Sequence, residues 1–296
     1  MVLVRSFDAK FATRSALSFV PSLFRFPALV WANRFMVQNF LRRDLMSRVN
    51  GSVLGLGWML VRPLCLFALF YLVFGLVLGP RVGNTGEPDP KFAIYLFLGI
   101  LAFGAITEST TTACSIIVDN GNLVKKVAFP SEVLLVHVAL VAQVVYLVAA
   151  VVAFVVGLSA GLLSPGLELL AFPLVLVVQF VFVLGLGMLL ANLNVFARDT
   201  AQLWSLISQG WMFLSPVFLQ PQQLKGVIPD EVVSWAENLN PAWALLQSHR
   251  LVLGYSDEHI GALWPQLGKA SLFAFGFLLV GYTTFMSRKH KFADVI

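Results

Sequence analysis

Long uninterrupted runs of apolar residues dominate the hydrophobic pattern of the chain. A helix needs about 20 apolar residues to cross a hydrocarbon core of roughly 30 Å. The stretches that approach or exceed this length are residues 58–79, 92–118, 133–157, 167–191, 203–219 and 270–286. Their apolar positions are continuous and do not alternate, which is typical of membrane helices and not of a membrane β-barrel. The pattern therefore predicts an all-α protein with six transmembrane helices, of which the last two are short.

Composition supports a membrane location. The chain of 296 residues is 58% apolar and 12% charged, with a mean hydropathy of +0.84, whereas soluble chains are roughly 45–50% apolar and about 25% charged. So few charges cannot cover an aqueous surface. We expect a transmembrane domain over residues 58–286, preceded by a cytoplasmic segment over residues 1–57 and followed by a cytoplasmic tail over residues 287–296.

Basic residues are distributed unequally between the loops. With six spans, 14 of the 20 Lys and Arg residues lie on the side that carries both termini and five lie on the other side, while Arg62 lies within the first span. Loops rich in Lys and Arg stay in the cytoplasm, so both termini are expected there. The net charge of +5 is then explained by anionic lipid at the inner surface, and nucleic acid is not an expected partner.

Residues 22–50 combine aromatic and aliphatic side chains with basic ones. This composition suits a helix that lies in the membrane interface. The polar residues Arg34, Asn39 and Arg43 do not gather on one helical face, so composition alone supports this interpretation.

Like residues 22–50, the segment from Pro221 to Gly268 has a pattern that is typical neither of a full span nor of a simple loop. A helix start is predicted at Asp230 and Glu231, a break at Asn240-Pro241, and then a short apolar helix that ends at Gly254. The short helix either re-enters the membrane, where protein or a wet cavity must shield its ends, or rests on the outer surface. We favour re-entry.

Motifs for catalysis or nucleotide binding are absent from the sequence, which contains no G-x-x-x-x-G-K-[ST], H-E-x-x-H or G-x-S-x-G string. The four histidines, at positions 137, 249, 259 and 290, fall at predicted ends and loops, and each is expected at the surface or the interface. A membrane-embedded glycosyl or phosphate transferase would need clustered acids, which the loops lack. The chain is therefore predicted to be neither an enzyme nor a metal-binding protein.

Two ionisable residues fall inside predicted spans, where such groups are functional candidates by default. Arg62 lies one turn into the first span, just before Pro63. Its side chain either extends to the inner interface, which we favour, or takes part in transport. Glu108 lies deeper and is followed by four hydroxyl residues, 109–112, that can satisfy it. A role in polar contacts and a role in the substrate path both stay open for Glu108.

Aromatic residues are abundant, with 26 Phe, 7 Trp and 5 Tyr. Those of interest lie along one face of the first span and around the fifth span; they are Phe67, Phe70, Tyr71, Phe74, Trp204, Trp211, Phe213 and Phe218. They either fill the core and contact lipid, or form a channel for sugars. A pyranose stacks its C–H face on a ring, and a moving polymer needs many weak, similar sites. A hydroxyl stripped of water costs several kcal/mol, so such a passage must be lined.

Several strings, in a fixed order, carry a resemblance to a known family. They are Arg43-Asp44-Leu45, residues 51–58, residues 120–130, residues 194–199, Leu214-Ser215-Pro216-Val217, residues 240–254 and Phe292-Ala293-Asp294-Val295-Ile296. Over about residues 40–296 the chain resembles the permease subunits of ABC-2 type polysaccharide exporters, above all those for lipid-linked O antigens, with teichoic acid exporters as close relatives. Arg62-Pro63 departs from the Asn-Pro that the resemblance leads us to expect.

The resemblance implies a homodimer of six-helix subunits joined to two copies of a separate ATPase, which binds ATP and Mg²⁺; this chain itself binds no cofactor. An interfacial helix would match residues 26–45, and the first and fifth spans would form a lateral opening for a lipid carrier. A coupling helix that docks on the ATPase would include Asp119, Asn120, Gly121, Asn122, Leu123, Val124, Lys125 and Lys126. An outer gate over residues 231–253 would include Glu231, Trp235, Asn240, Pro241 and Trp243.

The implied function is export of an undecaprenyl-linked polysaccharide across the bacterial cytoplasmic (inner) membrane. An ABC-2 exporter for another cargo, such as teichoic acid, capsule, a drug or a small lipid, would keep the same architecture. A non-catalytic assembly scaffold is a third alternative, although it leaves the inner loop and the outer helices without a purpose.

Overall fold

The computed structural model describes residues 16–48, 50–77, 81–82, 87–88, 90–126, 130–218, 220, 229–255 and 261–296. Within these ranges the chain is almost wholly helical, and four helices are long and apolar enough to cross a membrane. The predicted class, an all-α multi-pass membrane protein, is confirmed.

The first part of the chain forms short helices and one longer apolar helix. They are a 3-10 turn at Ala16–Phe19, α1 (Val20–Leu23), α2 (Phe26–Ala32), α3 (Arg34–Ser47), a 3-10 turn at Gly55–Gly57 and α4 (Trp58–Phe70), which continues as a π-helix over Tyr71–Val77. Two short antiparallel strands follow, β1 (Arg81–Val82) and β2 (Glu87–Pro88).

The remainder of the chain contains the long helices and two short ones between them. They are α5 (Pro90–Asp119), α6 (Gly121–Lys126), α7 (Glu132–Ser159), a 3-10 turn at Leu167–Ala171, α8 (Phe172–Phe196), α9 (Thr200–Leu214), α10 (Asp230–Leu239), α11 (Pro241–Val252), α12 (Leu263–Arg288), a 3-10 turn at Lys289–Lys291 and α13 (Phe292–Val295).

Four of the six predicted spans correspond to α5, α7, α8 and α12. Helices α5, α7 and α12 extend beyond the predicted limits at both ends, whereas α8 begins at Phe172, after the 3-10 turn, and extends beyond the predicted end only. Helix α8 continues past Ala191 because Asn192 and Asn194 are buried inside the bundle, whereas their polarity ended the apolar run in the sequence. Helix α12 begins seven residues before the predicted start at Ala270.

The first and fifth predicted spans have a different form. The first is divided between the 13 residues of α4 and the seven residues of the π-helix. The fifth was predicted to reach Leu219, but α9 ends at Leu214 after 15 residues. That these two segments cross the membrane stays a prediction.

Helices α8 and α12 approach each other closely at a pair of glycines. A Cβ at Gly281 would overlap the backbone of Gly185, and a Cβ at Gly185 would overlap the backbone of Phe277 and Leu278. Small residues let two membrane helices come into backbone contact, which adds van der Waals contact where water cannot drive association. The crossing of α8 and α12 therefore requires glycine at both positions.

Helix α11 lies inside the bundle, against α5, α8 and α12. Every residue from Ala242 to Val252 is buried. The helix ends at Gly254, which has a φ of +87° and lies so close to Pro165 that a side chain would overlap it. The Ser164 N–H donates to the Gly254 carbonyl at 2.9 Å, so the end of α11 is fixed to the connection between α7 and α8.

We predict that Gly281→Ala lowers the free energy of unfolding by about 1–3 kcal/mol, the usual cost of overpacking. Gly276 lies on the same helix with open space around its Cα, so Gly276→Ala is the matched control and should change stability by about 1 kcal/mol or less. The thermal unfolding midpoint of the full chain in detergent measures both effects. Equal midpoints for the two variants would contradict the close crossing.

Candidate functional site

Helices α10 and α11 form a hairpin whose tip lies at the middle of the bundle. Trp211 donates its indole N–H to the Oδ1 atom of Asn240, at the tip, over 2.8 Å. The ring of Trp211 packs edge-on against Phe103 with centroids 5.4 Å apart, and Phe103 lies near the centre of the 30-residue α5. At the other end of α11, Arg250 contacts Tyr95, close to the start of α5. Helix α11 therefore runs from mid-bundle to one end.

The side chain of Asn240 joins this tip to the end of α9. Its Oδ1 atom also accepts from the Ala242 N–H at 3.0 Å and so caps α11, with Pro241 at the first helical position. Its Nδ2 atom donates to the Leu214 carbonyl and to the Ser215 hydroxyl, each at 3.0 Å. One amide thus fixes the turn that ends α9.

Arg250 is fully buried and holds α11 against α5. Its Nε and Nη2 atoms donate to the Tyr95 carbonyl at 3.2 and 3.1 Å, and Nη1 donates to Gln247 at 3.2 Å. The guanidinium lies 3.5 Å from the centroid of the Tyr95 ring, a cation–π contact. A Cβ at Gly99 would overlap the guanidinium. The sequence pattern predicted that Arg250 lies in an outer loop. The structure instead buries it among backbone carbonyls and the Tyr95 ring.

The expectation that each histidine lies at the surface or interface is wrong for two of them. His249 is fully buried on α11, and its Nδ1 atom lies 2.7 Å from the Tyr146 hydroxyl of α7. His137 is buried on α7, 3.2 Å from the carboxylate of Asp44. Both partners are distant in sequence, so the local pattern could not reveal them. His259 lies outside the described residues.

The aromatic residues proposed for a channel on the first span are half-buried. Phe67 and Tyr71 stack with centroids 6.0 Å apart, and Phe67 packs edge-on against Phe97 at 5.1 Å. Phe70 is also half-buried. The side chain of Phe74 lies outside the described part of the structure. The described rings thus share one side of α4 and of the π-helix that continues it.

The aromatic residues around the fifth span separate into two groups. Trp204 is buried and donates to the Thr110 hydroxyl at 3.1 Å, and Trp211 packs among core rings and donates to Asn240 at the tip of the hairpin. Phe213, in contrast, is 66% exposed and stacks on Phe218 at 5.4 Å. The two tryptophans therefore attach α9 to α5, whereas Phe213 is open and rests on the half-buried Phe218.

The residues proposed for an outer gate are likewise divided. Glu231 and Trp235 lie exposed on α10, with Trp235 64% accessible. Trp243 is buried on α11. Asn240 and Pro241 form the tip between them, so the hairpin has one open arm and one buried arm.

The proposed coupling segment forms α6 and the turn before it. The Ser115 hydroxyl donates to Asp119 at 2.6 Å, and the Asn120 amide donates to the Ile116 carbonyl at 2.9 Å. Leu123 is half-buried, and the side chain of Lys126 lies outside the described part. Within α6, Val124 is buried and a Cβ at Gly121 would overlap Ile296. Asn122 and Lys125 are exposed and three residues apart, so they share the open face of α6.

Glu108 is paired with a residue that sequence analysis did not connect to it. Its carboxylate lies 2.5 Å from the guanidinium of Arg48, just beyond the end of α3. Among the following hydroxyls, that of Thr110 donates to the Ile106 carbonyl at 2.8 Å, and that of the buried Ser109 has no hydrogen-bond partner among the described residues. The ion pair therefore attaches the N-terminal helices to the middle of α5.

We predict that Arg250→Lys lowers the free energy of unfolding by about 2–4 kcal/mol, because bonds from a charged donor contribute about 1.5–3 kcal/mol each and an ammonium cannot reproduce the planar fork. Arg198→Lys, in an exposed turn, is the control and should be neutral. Thermal unfolding in detergent measures both. If Arg250→Lys proved as stable as the control, the guanidinium would not be holding α11 to α5.

Comparison with known proteins identifies the family. Residues 37–253 match the ABC-2 type transporter family. The O-antigen export system permease protein RfbA of Myxococcus xanthus is 26% identical over 263 residues, which cover 89% of this chain and 96% of the relative. Two proteins of the same name from Klebsiella pneumoniae are 24% and 23% identical over 260 and 257 residues, which cover 86% of this chain and 92% of each relative.

The matched region extends from α3 through α11 and so includes α6 and the buried hairpin. It covers well over half of the chain, and the resemblance found in the sequence strings is confirmed. The chain belongs to the ABC-2 type transporter family.

Proposed function

We propose that this chain is the permease subunit of an ABC transporter that exports an undecaprenyl-linked polysaccharide of the O-antigen type across the bacterial cytoplasmic membrane. The observation that carries the proposal is the length of its likeness to three O-antigen export permeases, at least 86% of this chain and 92% of each relative. A likeness of that extent includes both ends of the bundle and the hairpin between them.

The proposed subunit crosses the membrane six times, with both termini in the cytoplasm. For the first crossing, the 13 residues of α4 reach about 20 Å at roughly 1.5 Å per residue, and the seven residues of the wider π-helix add somewhat less than the roughly 10 Å of an α-helix of that length. For the fifth, α9 stops at mid-bundle, but the chain continues toward the start of α5, where the Tyr95 hydroxyl donates to the Pro216 carbonyl at 3.0 Å. Non-helical backbone at membrane depth is tolerated where protein surrounds it.

The hairpin of α10 and α11 is proposed to re-enter the membrane from the outer side and to close the passage there. Its tip at the level of Phe103 and the burial of α11 from Ala242 to Val252 favour re-entry over a helix resting on the surface. The exposed arm, with Glu231 and Trp235, would face the exit of the polymer.

Helix α6 is proposed to dock on a separate ATPase, with two copies of each subunit in the transporter. The docking surface is the open face formed by Asn122 and Lys125. The ATPase would bind ATP and Mg²⁺, and this chain would hold no cofactor. ATP binding and hydrolysis in that partner would rock the two permease subunits and move the polymer.

A second copy of this chain is proposed to complete the passage. Helix α9 presents exposed apolar side chains at helical spacing, namely Leu203, Leu206, Ile207, Phe213 and Leu214. Between the two copies, the half-buried rings of α4, the open Phe213 and the half-buried Phe218 would line the path. Each ring offers a sugar a weak stacking surface, so no single site would hold the polymer back.

We predict that Lys125→Glu reduces the amount of ATPase that copurifies with the permease by about tenfold or more. On this proposal Lys125 faces acidic groups of the ATPase, and a glutamate there would bring like charges together in the interface, which costs several kcal/mol. Lys269→Glu, on α12, is the matched charge reversal outside α6 and should leave copurification unchanged. A pull-down from membranes with a tagged permease measures both. Undiminished copurification of the Lys125→Glu protein would remove α6 from the docking surface.

We also predict that the double variant Phe67→Leu/Tyr71→Leu lowers the export rate about tenfold, because two ring contacts of about 0.5–1.5 kcal/mol each are lost. Leucine keeps most of the volume, so the subunit should still assemble with its ATPase. Phe275→Leu, an exposed ring on α12, is the control. Pulse-labelled polymer at the cell surface gives the rate, and export at the control rate would exclude these rings from the path.

A further inference from the structure

A cleft of about 450 Å³ lies between α4, α5, α7 and the segment that follows α3. None of the rings Phe67, Phe70 and Tyr71 lines it, and neither does the hairpin. One end of the cleft is polar and the other is apolar, so a ligand that fills it needs a polar part and an apolar part.

The polar end carries two guanidinium groups, those of Arg48 and Arg62, with Ser52 and Trp58 beside them. Among the described residues, Arg48 has one carboxylate partner, Glu108, and Arg62 has none within ion-pair distance. The side chains that line the cleft therefore include two cations and no anion, while Glu108 and Asp44 line the adjoining space beside Arg48. Arginine forks, a hydroxyl and an indole N–H are all donors, so this end suits a phosphate oxygen cluster.

The side chain of Arg62 is directed into the cleft by the register of α4. Trp58, Arg62 and Leu66 are spaced four residues apart, so they share one helical face, and all three line the cleft. The wall of the cleft therefore continues one turn before Arg62, at Trp58, and one turn after it, at Leu66. This continuity indicates that Arg62 belongs to the cleft and does not only extend toward water.

The apolar end is formed by Leu66, Leu101, Val145 and Ala149. These side chains come from three helices and lie deeper in the bundle than the arginines, since Leu101 and Val145 are interior residues of α5 and α7. A small soluble anion would leave this end unused. The cleft therefore fits an amphiphile with an anionic head and a hydrocarbon tail.

We propose that the cleft binds the phosphorylated head of a polyprenyl lipid, with the first isoprene units against Leu66 and Leu101. This assignment rests on the proposed function, because it makes the cleft the receiving site for the lipid carrier of the exported polymer. A membrane phospholipid shares the phosphate head and the apolar tail, and free pyrophosphate shares the head alone.

Binding of undecaprenyl diphosphate to the purified full chain in detergent, followed by microscale thermophoresis, tests the proposal. Arg62→Gln should weaken binding at least about tenfold, and Arg62→Lys, which keeps the charge without the fork, should weaken it less. Arg198→Gln, an exposed arginine outside the cleft, is the control and should bind as the unmodified chain does. Equal binding by Arg62→Gln and the control would overturn the proposal.

Competition separates the three sources of the phosphate head. Undecaprenyl diphosphate should compete at least tenfold better than sodium pyrophosphate and better than dioleoyl phosphatidylglycerol. Pyrophosphate as effective as the lipid would mean that the apolar end has no role, and phosphatidylglycerol as effective would mean a site for bulk phospholipid. Either result overturns the assignment to the carrier.

Failure of this assignment is distinguishable from failure of the proposed function. In a deletion strain of the source organism, the unmodified chain should restore polysaccharide at the cell surface whatever the binding result. Restoration together with unaltered binding by Arg62→Gln would reject only the cleft. Absence of restoration by the unmodified chain would reject the export function itself.

Discussion

Charged side chains inside a bundle that faces lipid are tolerated only where the protein supplies their partners. Two such pairings join helices that are distant in sequence. Arg250 attaches α11 to α5 through the Tyr95 carbonyl and ring, and the buried Glu132 of α7 pairs with Lys289 at the end of α12 at 2.6 Å. A third ion pair, between Arg48 and Glu108, is more exposed and attaches the N-terminal helices to α5.

The hairpin of α10 and α11 likewise depends on a polar side chain that makes several hydrogen bonds. Asn240 caps α11, accepts from Trp211 and donates to the end of α9, so one amide satisfies backbone groups of two elements that both end in the middle of the bundle. Helix ends leave unpaired N–H and carbonyl groups, and here the Asn240 amide supplies partners for groups at the end of α9 and at the start of α11. The arrangement explains how both helices can end in the middle of the bundle.

Much of this architecture could be predicted from the sequence, because long apolar runs specify long helices directly. The four long helices and the break at Asn240-Pro241 follow from local pattern. The limits of α8 and α12, the burial of His249 and the partner of Glu108 do not, because each depends on side chains far away in the chain. The pattern treated Asn192 as the edge of a span, yet a polar residue inside the bundle continues the helix as well as an apolar one.

The contact between Ile296 and α6 has a mechanical consequence. Ile296 abuts Gly121 of α6 without room for another atom, and α13 continues from α12 through a single 3-10 turn. Helix α12 in turn touches α8 backbone to backbone and packs along α11. Because these contacts are direct, a displacement of α6 would be transmitted through α13 and α12 to α11 near the opposite end of the bundle.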